Sequence, residues 1–349
     1  MKNTINISAT LVVLIFSMFC FHSCFQDDAL DNLSETLIVR HKNADMPAYI
    51  YGNGSEKVFL VTLHGGPGGL GLGFRSKMFK EQIEKQCAVV YFDQRGSGMS
   101  QGGYSEEDIN IDIMAEDILA LVKVIKHKYG NDCRFILLGH SWGGALGTAT
   151  LLKDQNEFLG WIEVDGAHNP AGAYLEYIAN FERMANEQIA LGNSEAYWES
   201  VKELILQVDD TVYNDDDFFR MNIEAFEAEK TLRRDAVINS GDDDVEIFFD
   251  YNIFTALWNT ITIQDIFAEQ GLFREINYTS RLSEITIPSL FLWGKYDMVV
   301  PATFGQEAFD NIGTTYKKLV IFERSGHSPM NTESDLFAQE VIAFIEANK

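Results

Sequence analysis

ILLGHSWGGAL, residues 136–146, runs an apolar strand-like stretch straight into a serine fenced by glycines, then resumes an apolar pattern. A surface turn has no need of that arrangement, whereas a nucleophile on a tight strand-to-helix corner does. Gly139-His140-Ser141-Trp142-Gly143 fits the G-x-S-x-G spacing in the context the pattern demands, a strand before it and a helix after it. The serine has to take strained backbone angles, so its neighbours must be small enough to let strand and helix approach. The corner exposes the hydroxyl at the C-terminal edge of a sheet and aims the next residue's N–H at the same spot.

Working outward, the chain offers further strands of the same kind at KVFLVTL (57–63), CAVVYFD (87–93), CRFILLG (133–139), LGWIEVD (159–165), PSLFLWG (288–294) and KKLVIFE (317–323). They are continuously apolar rather than alternating, which indicates a sheet covered on both faces. Glu35–His41 and Ala48–Tyr51 read as a hairpin in front of them. Helical stretches separate the strands, at Ser76–Lys85, Ile109–Tyr129, Ala145–Asp154, Phe304–Asn311 and Glu333–Ala347. The alternation predicts an α/β fold, with a mostly parallel eight-stranded sheet and helices on both faces.

That alternation breaks over 169–282, where helical patterns dominate and 23 acidic side chains face 8 basic ones. We expect a helical, acidic cap there, inserted into a core made of 25–168 and 283–349. Its runs Asp215–Asp217 and Asp242–Asp244 are expected as solvated loops. The net charge of -25 excludes nucleic acid as a partner, since phosphate binding needs clustered Lys and Arg. Residues 1–24 have the layout of a signal peptide: Lys2, an apolar run over 11–21, then Ser23-Cys24. Cys24 at the expected cut resembles a bacterial lipobox. The expectation is export with a lipid anchor at Cys24 as the sole membrane contact, with simple cleavage and an uncleaved anchor as the alternatives. Cys87 and Cys133 open apolar runs and are expected as free, buried thiols.

A serine hydroxyl needs a base, and the base needs an orienting carboxylate, in the chain order Ser, acid, His for this topology. Of the seven histidines only His327, in RSGHSPM after the last strand, lies beyond His168. The preceding strand leads through LFLWGKYDMVVP to Asp297. The oxyanion formed on acylation needs two N–H donors; Trp142 supplies one, and Gly66 in LHGGPGG is expected to supply the other. This chemistry requires no metal and no cofactor.

Together His64-Gly65-Gly66-Pro67-Gly68, Asp93-Gln94-Arg95-Gly96-Ser97-Gly98-Met99-Ser100, Gly139–Gly144, Gly294-Lys295-Tyr296-Asp297 and Ser325-Gly326-His327 resemble the proline iminopeptidase branch of the α/β-hydrolase superfamily. The resemblance implies Ser141, Asp297 and His327 as the triad and Gly66 and Trp142 as the oxyanion donors, with Arg95 tying loops together. It further implies an aminopeptidase that releases the N-terminal residue of short peptides, proline being favoured by resemblance alone. Family peptidases hold the substrate's ammonium on cap glutamates, and an unpaired buried ammonium is costly. Three candidates stand out: Glu182, on the helix face made by Leu175, Ile178, Ala185 and Ile189, and Glu246 and Asp250 in an aromatic stretch. Two rival readings stay open, an esterase or lactonase with the same triad and a silent surface-tethered binding protein.

Overall fold

The computed structural model describes residues 30–209, 213–241 and 251–349. The leader with Cys24, the run Asp242–Asp244, and Glu246 and Asp250 lie outside the described residues.

Eight strands form one sheet: β1 (Leu33–His41), β2 (Ala44–Gly52), β3 (Val58–Leu63), β4 (Ala88–Phe92), β6 (Arg134–His140), β7 (Phe158–Val164), β8 (Ser289–Gly294) and β9 (Lys317–Phe322). A two-residue strand, β5 (Gln101–Gly102), pairs with β2. The order is β1-β2-β4-β3-β6-β7-β8-β9. The first two strands join antiparallel, β2 meets β4 antiparallel, and every later pairing is parallel. β3, β4 and β8 are buried at every position, and one apolar cluster lies on each face of the sheet. That is what a continuously apolar strand requires, because both of its faces must be covered.

Two helices, α1 (Ile111–Tyr129) and α2 (Trp142–Lys153), follow β5 and β6. α1 starts at Asn110, whose side chain accepts from the Ile113 N–H at 3.0 Å. The stretch Ser76–Lys85, expected as an ordinary helix, is instead a π turn over Phe79–Ile83. Its extra residue brings Glu84 round to accept from Arg75 Nε and from the Tyr91 hydroxyl, each at 2.8 Å.

Between β7 and β8 the described chain is helical, with α3 (Pro170–Leu191), α4 (Glu195–Ile205), α5 (Asp215–Arg234), α6 (Ile253–Glu269) and α7 (Leu272–Glu275). Asp215–Asp217 is not a loop: it forms the first turn of α5 behind the cap residue Asn214. Carboxylates are favourable there, next to the free N–H groups at a helix start. After β8 comes α8 (Ala302–Asn311), and after β9 come α9 (Pro329–Thr332) and α10 (Ser334–Asn348). Cys87 and Cys133 are free and buried. Among the described residues no helix is long and apolar enough to cross a membrane.

Candidate active site

Ser141 occupies the corner between β6 and α2 with φ 56° and ψ -121°, a left-handed backbone that a non-glycine residue adopts only under constraint. Two glycines make the corner possible. A Cβ on Gly139 would stand 2.2 Å from the Gly143 carbonyl oxygen, and one on Gly143 would stand 2.1 Å from the Leu63 carbonyl oxygen. The Ser141 N–H donates to the Val164 carbonyl at 3.0 Å, and its own carbonyl accepts from Gly144 and Ala167 at 2.8 and 2.9 Å. The strain is therefore held by bonds on both sides.

The loop after β3 lies against this corner. Among the described residues neither the Gly66 N–H nor the Trp142 N–H is spent on a hydrogen bond, and both residues line one cavity with Ser141. Gln94 joins the two arms. Its Nε2 donates to the His64 carbonyl at 2.9 Å, its Oε1 accepts from Trp142 Nε1 at 2.9 Å, and its backbone N–H donates to His64 Nε2 at 3.3 Å. His64 Nδ1–H donates to the Gly65 carbonyl at 2.9 Å, so both ring nitrogens are committed. Burial pushes this imidazole down to about 4 and keeps it neutral. Arg95, fully buried, grips Asp117 with two bonds of 2.8 and 2.7 Å and donates to the carbonyls of His41 and Lys42. It ties loops together and does not touch Ser141.

Asp297, just beyond β8, is fixed through Oδ1, which accepts from the Val299 and Val300 N–H groups at 2.8 Å each. Its Oδ2 accepts from His327 Nδ1 at 2.9 Å. That bond leaves Nε2 as the basic nitrogen of His327, and Nε2 is buried with no partner among the described residues. Burial works against the charged imidazole, but the charge and hydrogen bond of Asp297, helped by Glu229, outweigh it and raise His327 above its ordinary value. The neighbouring His140 donates from Nε2 to the His327 carbonyl at 2.6 Å. Burial, and then the nearby His327, push His140 down to about 3, so it serves as a neutral prop.

Two buried carboxyls with no expected role flank this pair. Glu229, on cap helix α5, accepts with Oε1 from the backbone N–H of His327 at 2.9 Å and of Met298 at 3.1 Å. One cap side chain thus holds the two loops that carry Asp297 and His327. Burial, followed by the charge of Asp297, raises Glu229 to about 7. Asp165, at the end of β7, accepts the Gly294 N–H at 2.8 Å.

Two cavities meet at Ser141. One, of about 280 Å³, is partly covered by the inserted helices and lined by Trp142, Tyr177, Phe218, Ile223 and Phe273. The other, of about 370 Å³, is more open and passes between the glycine loop, Phe226 and His327. Among the described residues no Asp or Glu lines either cavity. Glu182, expected on the inward face of its helix, points to solvent. The face that α3 buries is Tyr174, Tyr177, Phe181, Met184 and Ala185, while Leu175 is 49% exposed. Two apolar stripes competed for the interior, and the aromatic one buries the larger area.

A corner serine where two cavities meet, two unspent N–H groups lining one and a carboxylate-bound histidine lining the other define a hydrolase. The alpha/beta hydrolase family profile matches residues 60–340, and the chain belongs to that family, in its proline iminopeptidase-like branch. The chain is similar to the proline iminopeptidase of Saccharolobus solfataricus, 28% identical over 292 residues that cover 82% of this chain and 84% of that one. It is 26% identical to the proline iminopeptidase of Thermoplasma volcanium over 84% of this chain and 90% of that one. Among solved structures, an esterase from Exiguobacterium antarcticum superposes with a TM-score of 0.60 at 18% identity, covering 90% of this chain and all of its own.

Proposed function

We propose that the chain is a serine hydrolase that releases the N-terminal residue of short peptides, with Ser141 as nucleophile, His327 as base and Asp297 as the orienting acid. The observation that carries the reading is a strained serine at the junction of two cavities, one lined by Gly66 and Trp142 with their free N–H groups and the other by the Asp297-bound imidazole of His327. His327 Nε2 takes the Ser141 hydroxyl proton as Oγ adds to the substrate carbonyl. The oxyanion forms where the Gly66 and Trp142 N–H groups point, and the C–N bond breaks as His327 returns the proton to the leaving amine. Water then repeats the sequence on the acyl-enzyme. The less open cavity takes the side chain of the released residue and the more open one takes the rest of the peptide.

The peptide preference rests on the two proline iminopeptidases that the chain resembles. A substrate ammonium in such a pocket needs a carboxylate. Glu182 drops out because it faces solvent. Glu246 and Asp250 keep the role in this proposal. A second reading, hydrolysis of esters or lactones, is favoured by the absence of any carboxylate among the described lining residues.

The test compares proline and alanine naphthylamides, with free and blocked amino groups, against p-nitrophenyl acetate, using the parent chain and Ser141→Ala. Serine-dependent cleavage of the free-amine amides alone supports the peptidase. Cleavage of the ester alone discards it in favour of the second reading. Among these acids, Glu246→Gln or Asp250→Asn should raise KM for free-amine amides while sparing the ester. Export with a lipid anchor at Cys24 stays part of the proposal on the leader's sequence, and loss of lipid labelling in Cys24→Ala tests it.

A further inference from the structure

Asp165 does more than end a strand. It takes φ 45°, a left-handed backbone that costs a non-glycine residue free energy, and it is completely buried. Its N–H donates to the Leu292 carbonyl at 3.0 Å and its Oδ1 accepts the Gly294 N–H at 2.8 Å, so two bonds to β8 hold it. Its Oδ2 is buried with no settled partner among the described residues, and the carboxyl of Asp297 lies against it. One oxygen of Asp165, one nitrogen of His140 and one nitrogen of His327 all lie within 4.8 Å of one another. The ionisable groups facing Asp165 are therefore Asp297, Glu229, His140 and His327, and none of the described lysines or arginines pairs with it.

Two carboxyls in a dry site cannot both carry charge. Burial first, and then the charge of Asp297, hold Asp165 well above the carboxylate range, which makes it a carboxylic acid with one O–H to donate. The Asp297 carboxyl, whose Oδ2 takes one bond from His327, is an acceptor which that O–H can meet.

We propose that Asp165 is a positioning residue for this site: it donates its proton to Asp297, steadying that carboxylate toward His327, and it stands as a reserve acid that takes up the imidazole when Asp297 is removed. The inference rests on the triad reading given above. It is independent of whether the substrate is a peptide or an ester.

Two backgrounds separate this role from mere strand support. Asp165→Asn keeps an acceptor for Gly294 and a donor for Asp297, but it cannot ionise. In the parent background it should change kcat on p-nitrophenyl acetate by less than about threefold, with KM unchanged, whereas Asp165→Ala should cost about tenfold or more. With Asp297→Ala the like charge is gone, and Asp165 can ionise beside His327. That variant should keep about 1% of kcat rather than the roughly 0.01% left when a triad acid is lost outright, and the residual rate should rise with pH. Adding Asp165→Asn should then cut the residual rate at least about tenfold and flatten its pH profile.

Equal factors for Asp165→Asn in both backgrounds, or a residual rate in Asp297→Ala that ignores pH, would overturn the proposal. Asp165→Asn is isosteric, so the comparison stands even where Asp165→Ala does not fold. Ser141→Ala run alongside separates the two levels. A rate that survives it sinks the triad reading and this inference with it, while a serine-dependent rate with equal factors sinks this inference alone.

Discussion

Gln94→Leu is the substitution that most directly tests how the two oxyanion arms are held together. Gln94 is 1% exposed, and its amide is the only link among the described residues between the His64 carbonyl and the Trp142 indole. Leucine keeps the volume and deletes both bonds, stranding a buried N–H and a buried carbonyl. Each stranded group costs about 1–3 kcal/mol, so the expected loss is about 2–6 kcal/mol of unfolding free energy. Against the roughly 5–15 kcal/mol that a domain has in hand, this is a large fraction. The chemical effect is separate. With the bridge gone the Gly66 and Trp142 N–H groups no longer keep their relative position, and losing one such donor costs about 100- to 1000-fold in kcat. Urea unfolding followed by tryptophan fluorescence reads the first effect, and kcat on p-nitrophenyl acetate below the unfolding transition reads the second. A variant within about 0.5 kcal/mol of the parent in stability and about threefold in kcat would refute the account of Gln94 as the bridge.

Three further expectations follow from the same geometry. His327 must be neutral to accept the serine proton and its pKa is raised, so kcat/KM should climb with pH through a midpoint above the ordinary 6.5. Glu229→Gln removes a charge that helps to raise it and should move that midpoint to lower pH; an unmoved midpoint would count against Glu229 as an electrostatic neighbour. His168 is fully buried: burial alone would lower it, but Glu163, at 3.0 Å, and Glu307, at 3.2 Å, outweigh that and raise it to about 9. A raised imidazole stabilises the fold fully below its unfolded value, near 6.5, and loses that contribution as pH rises through about 9. The thermal midpoint should fall across that window, and His168→Gln should flatten the decline. Gly139→Ala places a Cβ 2.2 Å from the Gly143 carbonyl oxygen, whereas at Gly103 nothing lies within 4 Å. The first substitution should cost about 1–3 kcal/mol and depress kcat, and Gly103→Ala should do neither; equal behaviour of the two would contradict the packing described for the corner.

What the sequence disclosed was whatever depends on neighbours in the chain. The strands, the glycine-fenced Ser141, and the order of Asp297 and His327 are each written into a short stretch, because a buried strand and a tight corner restrict which residues can occupy them. The reading of α3 failed where two stripes were both plausible, and only the packed structure shows that Tyr174, Tyr177 and Phe181 win the interior from Leu175. The π turn at Phe79–Ile83 lies where the residues read as an ordinary helix, and the Glu84 contacts to Arg75 and Tyr91 that follow it are made by side chains outside that stretch. Glu229 did leave a trace. It sits among Ala225, Ala228 and Leu232 at helical spacing, an acid on the apolar stripe of α5, which is where a carboxyl with a buried partner belongs. Asp165 left a fainter one, closing β7 much as Asp297 follows β8.

These two carboxyls change how the site is understood, because neither is explained by the proposed triad alone. A serine hydrolase needs one negative charge behind its histidine, yet here Asp297, Asp165 and Glu229 crowd one imidazole with no lysine or arginine bound to any of them among the described residues. Such a cluster is tolerable because burial and the charge of Asp297 hold Asp165 protonated, and a protonated acid is useful as a donor or as a charge held in reserve. Glu229 adds a mechanical consequence. Its Oε1 is the acceptor for both the Met298 and the His327 N–H, so a displacement of α5 would leave two buried donors unpaired in the loops that carry the acid and the base. Seating α5 and ordering the Asp297–His327 pair are therefore coupled.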